Sequence, residues 1–243
     1  MTTRRDVLQA WLTYARDPAA FVDECVSIYD ASGRDWVRFR LWPAQVQTLA
    51  AMAAERKLVI LKARQLGITW LCLSYALWLL IFRAPAVVLL FSLREEEAKE
   101  LLWRLRGMYE RLPPYLRARA ATHSNETRWI LSNGSRALAF STRAGRSYTG
   151  TLALVDEADF VPDLSRFLNG VKPTIDGGGQ LFLVSTSDKG HPQSTFKRLF
   201  RAAGEGEGGT SWKSPPPWGE GTSWKSGDYR RVFLPWHARP GRD

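Results

Sequence analysis

The sequence predicts an α/β fold with a mainly parallel central sheet flanked by helices. From residue 57 onward, short apolar runs of strand length alternate with longer segments of helical periodicity. The first four elements of this pattern are strand 57–62, helix 69–82, strand 86–92 and helix 94–111. Alternation of this kind is typical of βαβ units, in which ligands bind at the carboxyl ends of the parallel strands.

The other segments extend the pattern towards both ends of the chain. Asn133-Gly134 separates two strand-like runs, and this dipeptide is a strong signal for a tight antiparallel hairpin. Asp17-Pro18 favours the start of a helix, because Asp can cap it and Pro can occupy its first position. The further predicted elements are two short helices in 5–29, strand 36–41, helix 43–55, strands 128–132 and 135–141, strand 151–155, helix 163–169, strand 180–185 and helix 192–202.

Composition shifts divide the chain into four predicted parts. These are an N-terminal helical segment (1–35), the α/β core (36–203), a flexible insertion rich in Gly, Pro and Trp (204–228), and a C-terminal strand and linker (229–243). The insertion contains the hexapeptide GTSWKS twice, and its composition cannot bury a core. It is interpreted either as a duplication in a tolerant surface loop or as a tryptophan-tipped arm that stacks on bases or a partner.

Composition also indicates a globular protein with a polyanionic partner. At 243 residues the chain is long enough for one α/β domain with a full core. Its formal net charge of +10 favours binding to a polyanion such as nucleic acid. The most apolar stretch, 70–82, is shorter than the roughly 20 residues that a membrane-spanning helix needs. We therefore expect a buried helix there, no membrane partner and a soluble intracellular protein.

A strand–turn–helix at residues 62–69 is the first indication of chemistry. The pattern G-x-x-x-x-G-K-[ST] cradles nucleotide phosphates with backbone N–H groups and a helix N-terminus. Gly67 and Thr69 match it, but Ile68 occupies the lysine position, so Lys62 or Arg64 has to supply the cation, and Lys62 is favoured for its flexible stem. The predicted nucleotide-binding residues of this loop are Lys62, Ala63, Arg64, Gln65, Leu66, Gly67, Ile68 and Thr69.

Two adjacent carboxylates follow a later apolar strand. Asp156 and Glu157 come directly after the run Leu152–Val155. One carboxylate can hold Mg²⁺ while the next orients the attacking water, as a Mg-nucleotide hydrolase requires. We assign Asp156 and the hydroxyl of Thr69 to Mg²⁺, and Glu157 to the catalytic water. The predicted substrate is ATP.

Several motifs resemble those of one family. Residues 64–69, R-Q-L-G-I-T, look like the phosphate loop of tailed-bacteriophage terminase large subunits, which commonly reads R-Q-x-G-K-[ST] and in some members has the lysine at the front of the loop. Trp42 and Gln45, in the segment WPAQ, resemble the family's adenine-recognising segment. The hydroxyl residues that resemble its coupling motif are Ser185, Thr186 and Ser187.

The resemblance implies a RecA-like/ASCE P-loop NTPase fold and an ATP-hydrolysing motor that drives double-stranded DNA into a prohead. It also implies a portal protein and a terminase small subunit as partners in the host cytoplasm, and a homo-oligomeric ring that assembles from monomers. In such a ring an arginine finger acts on the neighbouring subunit's nucleotide, and Arg146 is favoured for this role ahead of Arg143. Family members normally carry a C-terminal nuclease, which we expect to be absent here, so no DNA cleavage is expected.

Two other classes of protein remain open. Residues 156–159 read D-E-A-D, as in helicase-type ATPases, although that class needs a second RecA-like domain and normally keeps the lysine in the phosphate loop. The other class is a truncated, non-enzymatic module for DNA binding or ring assembly. Assays of ATP hydrolysis and of duplex unwinding distinguish these classes from a packaging motor.

The remaining charged residues near these motifs are expected to have local roles only. Asp159 and Asp163 are predicted to be solvated or to cap helices. The acidic segment 94–100 is predicted to be a charged helix start and nothing more.

Overall fold

A computed structural model describes residues 3–117, 121–144, 148–203 and 229–241 of the chain. Its α-helices are α1 (Arg4–Arg16), α2 (Pro18–Cys25), α3 (Pro43–Ala54), α4 (Ile68–Phe82), α5 (Glu95–Glu110), α6 (Leu164–Asp176) and α7 (Thr195–Ala202). Its strands are β1 (Ser27–Asp30), β2 (Asp35–Arg38), β3 (Lys57–Lys62), β4 (Val87–Ser92), β5 (Ala121–Ser124), β6 (Arg128–Leu131), β7 (Arg136–Ser141), β8 (Leu152–Asp156), β9 (Gln180–Ser185) and β10 (Arg230–Leu234).

A mainly parallel sheet forms the centre of the molecule. In the described part of the chain it has eight strands in the order β10-β3-β9-β8-β4-β7-β6-β5. The strands from β10 to β7 pair in parallel, and β6 and β5 add an antiparallel edge. The predicted parallel sheet and the predicted hairpin at Asn133-Gly134, which joins β6 to β7, are therefore confirmed. Strands β1 and β2 form a separate antiparallel hairpin.

Helices cover both faces of this sheet. Successive side chains of a strand point to opposite faces, and on β3 the residues Leu58 and Ile60 belong to one core cluster while Val59 belongs to the other. The first cluster includes buried residues of α1 to α5, and the second includes those of α6 and α7. Because both faces are covered, the parallel strands are apolar along most of their length, which explains why the sequence revealed them.

The most apolar segment of the sequence is a core helix, as predicted. Every residue of α4 from Leu71 to Phe82 is buried. The N-terminal helices pack against it: the indole Nε1 of Trp78 donates a hydrogen bond of 2.8 Å to the backbone oxygen of Tyr14 in α1. None of the helices in the described residues combines the length and apolar character needed to cross a membrane.

The prediction of two helices through residue 29 is wrong at its C-terminal end. Helix α2 ends at Cys25, and Ser27–Asp30 is strand β1, which pairs with β2. The side chain of Asp30 accepts hydrogen bonds from the backbone N–H groups of Ser32 and Gly33, which stabilises the hairpin turn. Four residues of strand are too short to show a clear alternation beside a helical pattern.

Further elements differ from the prediction: β2 ends at Arg38 rather than 41, and α7 begins at Thr195 rather than 192. Helix α6 runs to Asp176, beyond the predicted end at 169, because Leu168, Val171 and Ile175 continue a buried stripe at helical spacing past Gly170. Strand β5 was not predicted, since its residues ATHS lack an apolar alternation and it lies at the edge of the sheet.

Candidate active site

The loop between β3 and α4 has the geometry of a phosphate cradle. Two of its residues have positive φ angles: Gln65 at 61° and Gly67 at 68°. A Cβ atom at position 67 would lie 3.1 Å from the side-chain nitrogen of Gln45, so both conformation and space favour glycine there. The turn brings the chain directly from the carboxyl end of β3 into the first turn of α4, whose N-terminal N–H groups have no partner within the helix.

Gln45 lies beneath this loop and is buried. Its Nε2 donates a hydrogen bond of 3.0 Å to the backbone oxygen of Leu66, and its Oε1 accepts one of 2.9 Å from the backbone N–H of Trp42. The Trp42 ring also lies 5.7 Å from the guanidinium of Arg239. The direct contact of Gln45 is therefore with the phosphate loop, a contact that its position in the sequence did not reveal.

The two predicted carboxylates meet the phosphate loop at the carboxyl end of β8. The Thr69 hydroxyl donates a hydrogen bond of 3.1 Å to Oδ1 of Asp156. The Lys62 ammonium lies 3.2 Å from Oε1 of Glu157 and is nearly buried, with 9% of its side chain exposed. Four residues that motif reasoning singled out from two distant segments therefore lie together.

Glu157 is held in an unusual backbone conformation by the predicted coupling segment. Its φ and ψ angles of 49° and 45° are left-handed, which is strained for a non-glycine residue. Its Oε2 accepts hydrogen bonds from the Ser185 hydroxyl at 3.1 Å, the Thr186 backbone N–H at 3.1 Å and the Thr186 hydroxyl at 3.0 Å. Ser185 and Thr186 are buried, whereas Ser187 is exposed. Two members of the hydroxyl triplet thus contact the carboxylate directly.

The two carboxylates have opposite pKa shifts. Burial raises the pKa of Asp156 to about 6, although the Lys62 ammonium and the hydrogen bond from Thr69 act in the opposite direction. Burial also acts to raise the pKa of Glu157, but Lys62 and the hydrogen bonds from Thr186 outweigh it, so the pKa of Glu157 lies below its ordinary value. Glu157 is therefore ionised at neutral pH, and Asp156 becomes protonated at a higher pH than an ordinary aspartate, which a nearby cation would oppose.

The Lys62 ammonium and the two carboxylates line one wall of a cleft of about 790 Å³. Lys62, Arg64 and Gln65 contribute from the loop, and Asp156 and Glu157 from the end of β8. Arg64 and Gln65 are exposed at this wall, whereas Leu66 and Ile68 are buried in the core. Ile68, at the usual lysine position, therefore contributes to packing. The backbone N–H of Ala63 bonds to the oxygen of Leu234 in β10, which ties the loop to the sheet edge.

The opposite wall of the cleft comes from α5, whose role the sequence did not reveal. Glu96, Glu97, Glu100 and Arg104 line it, so the prediction of a plain charged helix start is incomplete. Arg104 pairs with Glu100 at 2.9 Å, and its guanidinium lies 5.2 Å from the ring centroid of Trp70, the residue after Thr69. Periodicity alone gives no signal for these residues, because a charged helix face is usually solvated.

The predicted finger residue lies outside the described residues. Arg146 belongs to the stretch 145–147, which lies outside the described residues. The predicted insertion 204–228 also lies outside them. Arg143, the second candidate, is exposed. The finger therefore stays a prediction.

The prediction for Asp159 is wrong. Asp159 is buried, and its carboxylate is paired with Lys197 of α7 at 2.9 Å. Asp163, in contrast, caps α6 by accepting a hydrogen bond from the backbone N–H of Arg166 at 3.0 Å, which confirms the capping role. Sequence reasoning missed the Asp159 contact because its partner lies 38 residues along the chain.

The family comparison identifies the group to which this site belongs. A family model of terminase large subunits, described as T4likevirus-type and N-terminal, matches residues 59–226. The chain belongs to this terminase family. The matched region contains the phosphate loop, both carboxylates and the coupling segment, so the match favours the terminase resemblance over the helicase alternative. No curated protein sequence is significantly similar to the chain.

Solved structures of large terminases have the same fold. A variant of the Thermus phage P74-26 large terminase ATPase domain matches with a TM-score of 0.63 at 16% identity, over 80% of this chain and 81% of that chain. The HK97 bacteriophage large terminase matches with a TM-score of 0.64 at 19% identity, over 78% of this chain and 41% of that chain. The large terminase of the thermophilic bacteriophage D6E matches with a TM-score of 0.58 at 10% identity, over 80% of this chain and 46% of that chain. The chain therefore has the RecA-like fold of terminase ATPase domains and spans less than half the length of the HK97 and D6E proteins.

Proposed function

We propose that this chain is the ATP-hydrolysing motor domain of a terminase large subunit and powers translocation of double-stranded DNA into a prohead. The observation that carries the proposal is that a loop cation and two carboxylates line one cleft, and that the Thr69 hydroxyl is bonded to one of these carboxylates. Contacts of 3.2 and 3.1 Å join Lys62 to Glu157 and Thr69 to Asp156. Phosphoryl-transfer enzymes use such a set to hold a Mg-nucleotide and to orient the attacking water.

Lys62 is the proposed phosphate cation. It lies at the end of β3, lines the cleft and is held at the loop by its contact with Glu157. An ammonium group has three N–H donors, so Lys62 can bind a phosphate oxygen while it keeps this contact. The backbone N–H groups from Arg64 to Thr69, in the turn and at the N-terminus of α4, complete the anion site, while Ala63, whose N–H bonds to Leu234, places the start of the turn beside the phosphates. Arg64 and Gln65 are proposed to contact the nucleotide from the exposed rim of the loop.

The oxygen ligands of this site fit Mg²⁺. The Thr69 hydroxyl and the Asp156 carboxylate lie side by side, and Mg²⁺ is usually bound by one or two carboxylates together with substrate phosphates. We assign these two side chains to Mg²⁺, which when bound neutralises charge on the transferred phosphoryl group. The raised pKa of Asp156 is consistent with this assignment, because a buried carboxylate close to a second one is stabilised in its charged form by a cation.

Glu157 is the proposed base that orients the water. Its Oε2 is committed to Ser185 and Thr186, so its remaining lone pairs lie on the side of Lys62 and the cleft. The same contacts make Ser185 and Thr186, with Ser187 beside them, the proposed coupling segment. A movement of the Glu157 carboxylate on nucleotide binding or hydrolysis is then transmitted to the end of β9 through its hydrogen bonds with Ser185 and Thr186.

Two further assignments complete the nucleotide site. Trp42 and Gln45 are proposed to lie beside the adenine, with Gln45 also supporting the loop through its bond to Leu66. Arg146, or Arg143 in its place, is proposed to reach the nucleotide of the next subunit in a ring. Arginine fingers contribute about 10³ to 10⁵ in rate, so the isolated chain, a proposed monomer, is expected to turn over slowly.

The wider assembly follows from the family and from charge. The net charge of +10 suits sequence-independent binding to the phosphate backbone of double-stranded DNA. A portal protein and a terminase small subunit are the proposed partners, in the cytoplasm of the host. We keep the proposed division into the segments 1–35, 36–203, 204–228 and 229–243, and add that β10 of the last segment pairs with β3 of the core.

Phosphate release from Mg-ATP tests this function directly. The wild-type chain should hydrolyse ATP slowly and accelerate with protein concentration, with double-stranded DNA and on assembly at a portal. Asp156→Asn should lower turnover by at least about 10²-fold, because a Mg²⁺ ligand contributes several kcal/mol to the transition state. The matched control is Asp176→Asn, an identical change at an exposed residue of α6 outside the cleft.

Each competing class predicts a different result. DNA binding without any hydrolysis supports a non-enzymatic module, and strand separation of a duplex supports a helicase. Equal activity of Asp156→Asn and Asp176→Asn contradicts the proposed metal ligand.

A further inference from the structure

A buried ion pair lies directly behind the catalytic carboxylate. The ammonium of Lys197 in α7 is 2.9 Å from Oδ2 of Asp159, in the short 3₁₀ turn Ala158–Phe160 that follows Glu157. The Asp159 side chain is 0% exposed and that of Lys197 is 12% exposed. Removing two charges from water is costly unless every donor and acceptor is satisfied, so the remaining contacts of this pair matter.

The pair is fully hydrogen-bonded to the segment after β9. Lys197 also donates to the backbone oxygens of Asp188 and of His191, the latter at 2.8 Å, so all three of its N–H donors are used. Asp159 accepts from the backbone N–H of Asp188 at 2.7 Å and from the Ser194 hydroxyl. The ion pair thus joins α7, the 188–194 segment and the turn after β8 in a single arrangement.

This arrangement connects to Glu157 through one hydroxyl. The backbone N–H of Asp159 donates to the Ser185 oxygen at 3.1 Å, and the Ser185 hydroxyl donates to Glu157 at 3.1 Å. Thr186, the next residue, gives Glu157 two more hydrogen bonds. Since the left-handed backbone of Glu157 is strained, it needs surroundings that hold it in place.

We propose that Asp159 and Lys197 are positioning residues for Glu157, an inference that rests on the proposed ATPase function. The pair fixes the segment 185–188 against the turn that carries Glu157, and so sets the direction in which that carboxylate meets the water. An apolar pair could hold α7 on the sheet equally well, but it would not orient the backbone groups of Asp188 and His191. Directional contacts to both sides of the turn are what the charged pair adds.

The experiment compares ATP turnover of Lys197→Met with that of Leu199→Ala. Met keeps the length of the side chain without its charge, while Leu199→Ala removes a buried apolar contact of the same helix and leaves the ion pair in place. Lys197→Met should lower kcat by about 10- to 10²-fold, the usual cost of a small misplacement of a reacting group. Its KM for ATP should change by less than about threefold, because neither Asp159 nor Lys197 lines the cleft. Leu199→Ala should keep kcat when both are assayed equally far below their Tm.

A double-mutant cycle with Thr186→Val distinguishes positioning from general loosening. If Lys197 acts through the segment that holds Glu157, the two changes should be non-additive, and the double variant should lose less than the product of the single losses. Should Lys197→Met not fold, Asp159→Asn combined with Lys197→Met removes both charges and provides the same readout.

Three results would overturn the inference: unchanged kcat in Lys197→Met, equal losses in Lys197→Met and Leu199→Ala, or strictly multiplicative effects with Thr186→Val. A wild-type chain without any turnover contradicts the proposed function itself. If the wild-type chain hydrolyses ATP and Lys197→Met has the same kcat, the positioning role alone is contradicted.

Discussion

Replacing Lys62 by Ala is the sharpest test of the unusual phosphate loop. Lys62 is the cation that we assign to the β- and γ-phosphates, since Ile68 at the usual lysine position is buried in the core. Its ammonium lies 3.2 Å from Glu157 and influences the charge of Asp156. The change therefore removes a phosphate contact and leaves two adjacent carboxylates without their common cation.

The magnitude follows from the contacts. A hydrogen bond to a charged group is worth about 1.5 to 3 kcal/mol, so losing one to a phosphate should weaken Mg-ATP binding about 10- to 100-fold. Losing a charge that stabilises the transition state should lower kcat by about 10² to 10³-fold. Besides burial, the charge of Glu157 acts to raise the pKa of Asp156, so the loss of the shared cation should destabilise the site further.

Fluorescent-nucleotide binding and phosphate release measure the two effects separately. Lys57→Ala, at the other end of β3, is the matched control and should keep both. Ile68→Val should also keep both, at a cost of about 0.5 to 1.5 kcal/mol in unfolding free energy for the lost methyl group in the core. Full activity of Lys62→Ala would refute the reasoning and assign the phosphate cation to Arg64 or another base.

Three further predictions concern the assembly, the DNA and the loop. Mixing Arg146→Ala with Glu157→Gln subunits should restore some activity, because a finger in trans lets an intact finger meet an intact base; a mixture as inactive as either variant alone places the finger elsewhere. Affinity for double-stranded DNA should fall by about 10³-fold or more between about 50 and 200 mM salt and should not depend on sequence, as titrations on unrelated duplexes can check. Gly67→Ala should lower the unfolding free energy by about 1 to 2 kcal/mol, because its φ of 68° disfavours a Cβ atom, and should weaken ATP binding; a variant as stable and as tight as wild type contradicts the strained turn.

The sequence predicted the fold correctly for the strands that are covered by helices on both faces of the sheet. Strands 57–62 and 180–185 have the predicted bounds, because parallel strands covered on both faces are continuous apolar runs. It failed for β1 and β5, which are short, lie outside the buried centre of the sheet and carry no apolar alternation. It also ended α6 early at Gly170, where buried packing overrides a weak local preference.

The site was predictable in its motifs and not in its contacts. Lys62, Thr69, Asp156 and Glu157 stand next to recognisable strand ends, and the topology of a parallel sheet brings strand ends together. The burial of Asp159 and the position of Arg104 at the cleft depend on partners from other elements, Lys197 of α7 and Trp70 of α4, which no local pattern specifies. Gln45 is intermediate: its segment was recognised, but its bond to the loop at Leu66 was not.

The most direct test of the central claim is turnover and Mg-ATP binding of Glu157→Gln, measured on the same preparation. If Glu157 orients the water and Asp156 holds the metal, turnover should fall by at least about 10²-fold, the usual order for losing a general base, while binding stays close to wild type. Glu110→Gln, the same change at an exposed residue at the end of α5, should alter neither quantity. Near-normal turnover of Glu157→Gln would contradict the assignment of this cleft as the site of ATP hydrolysis.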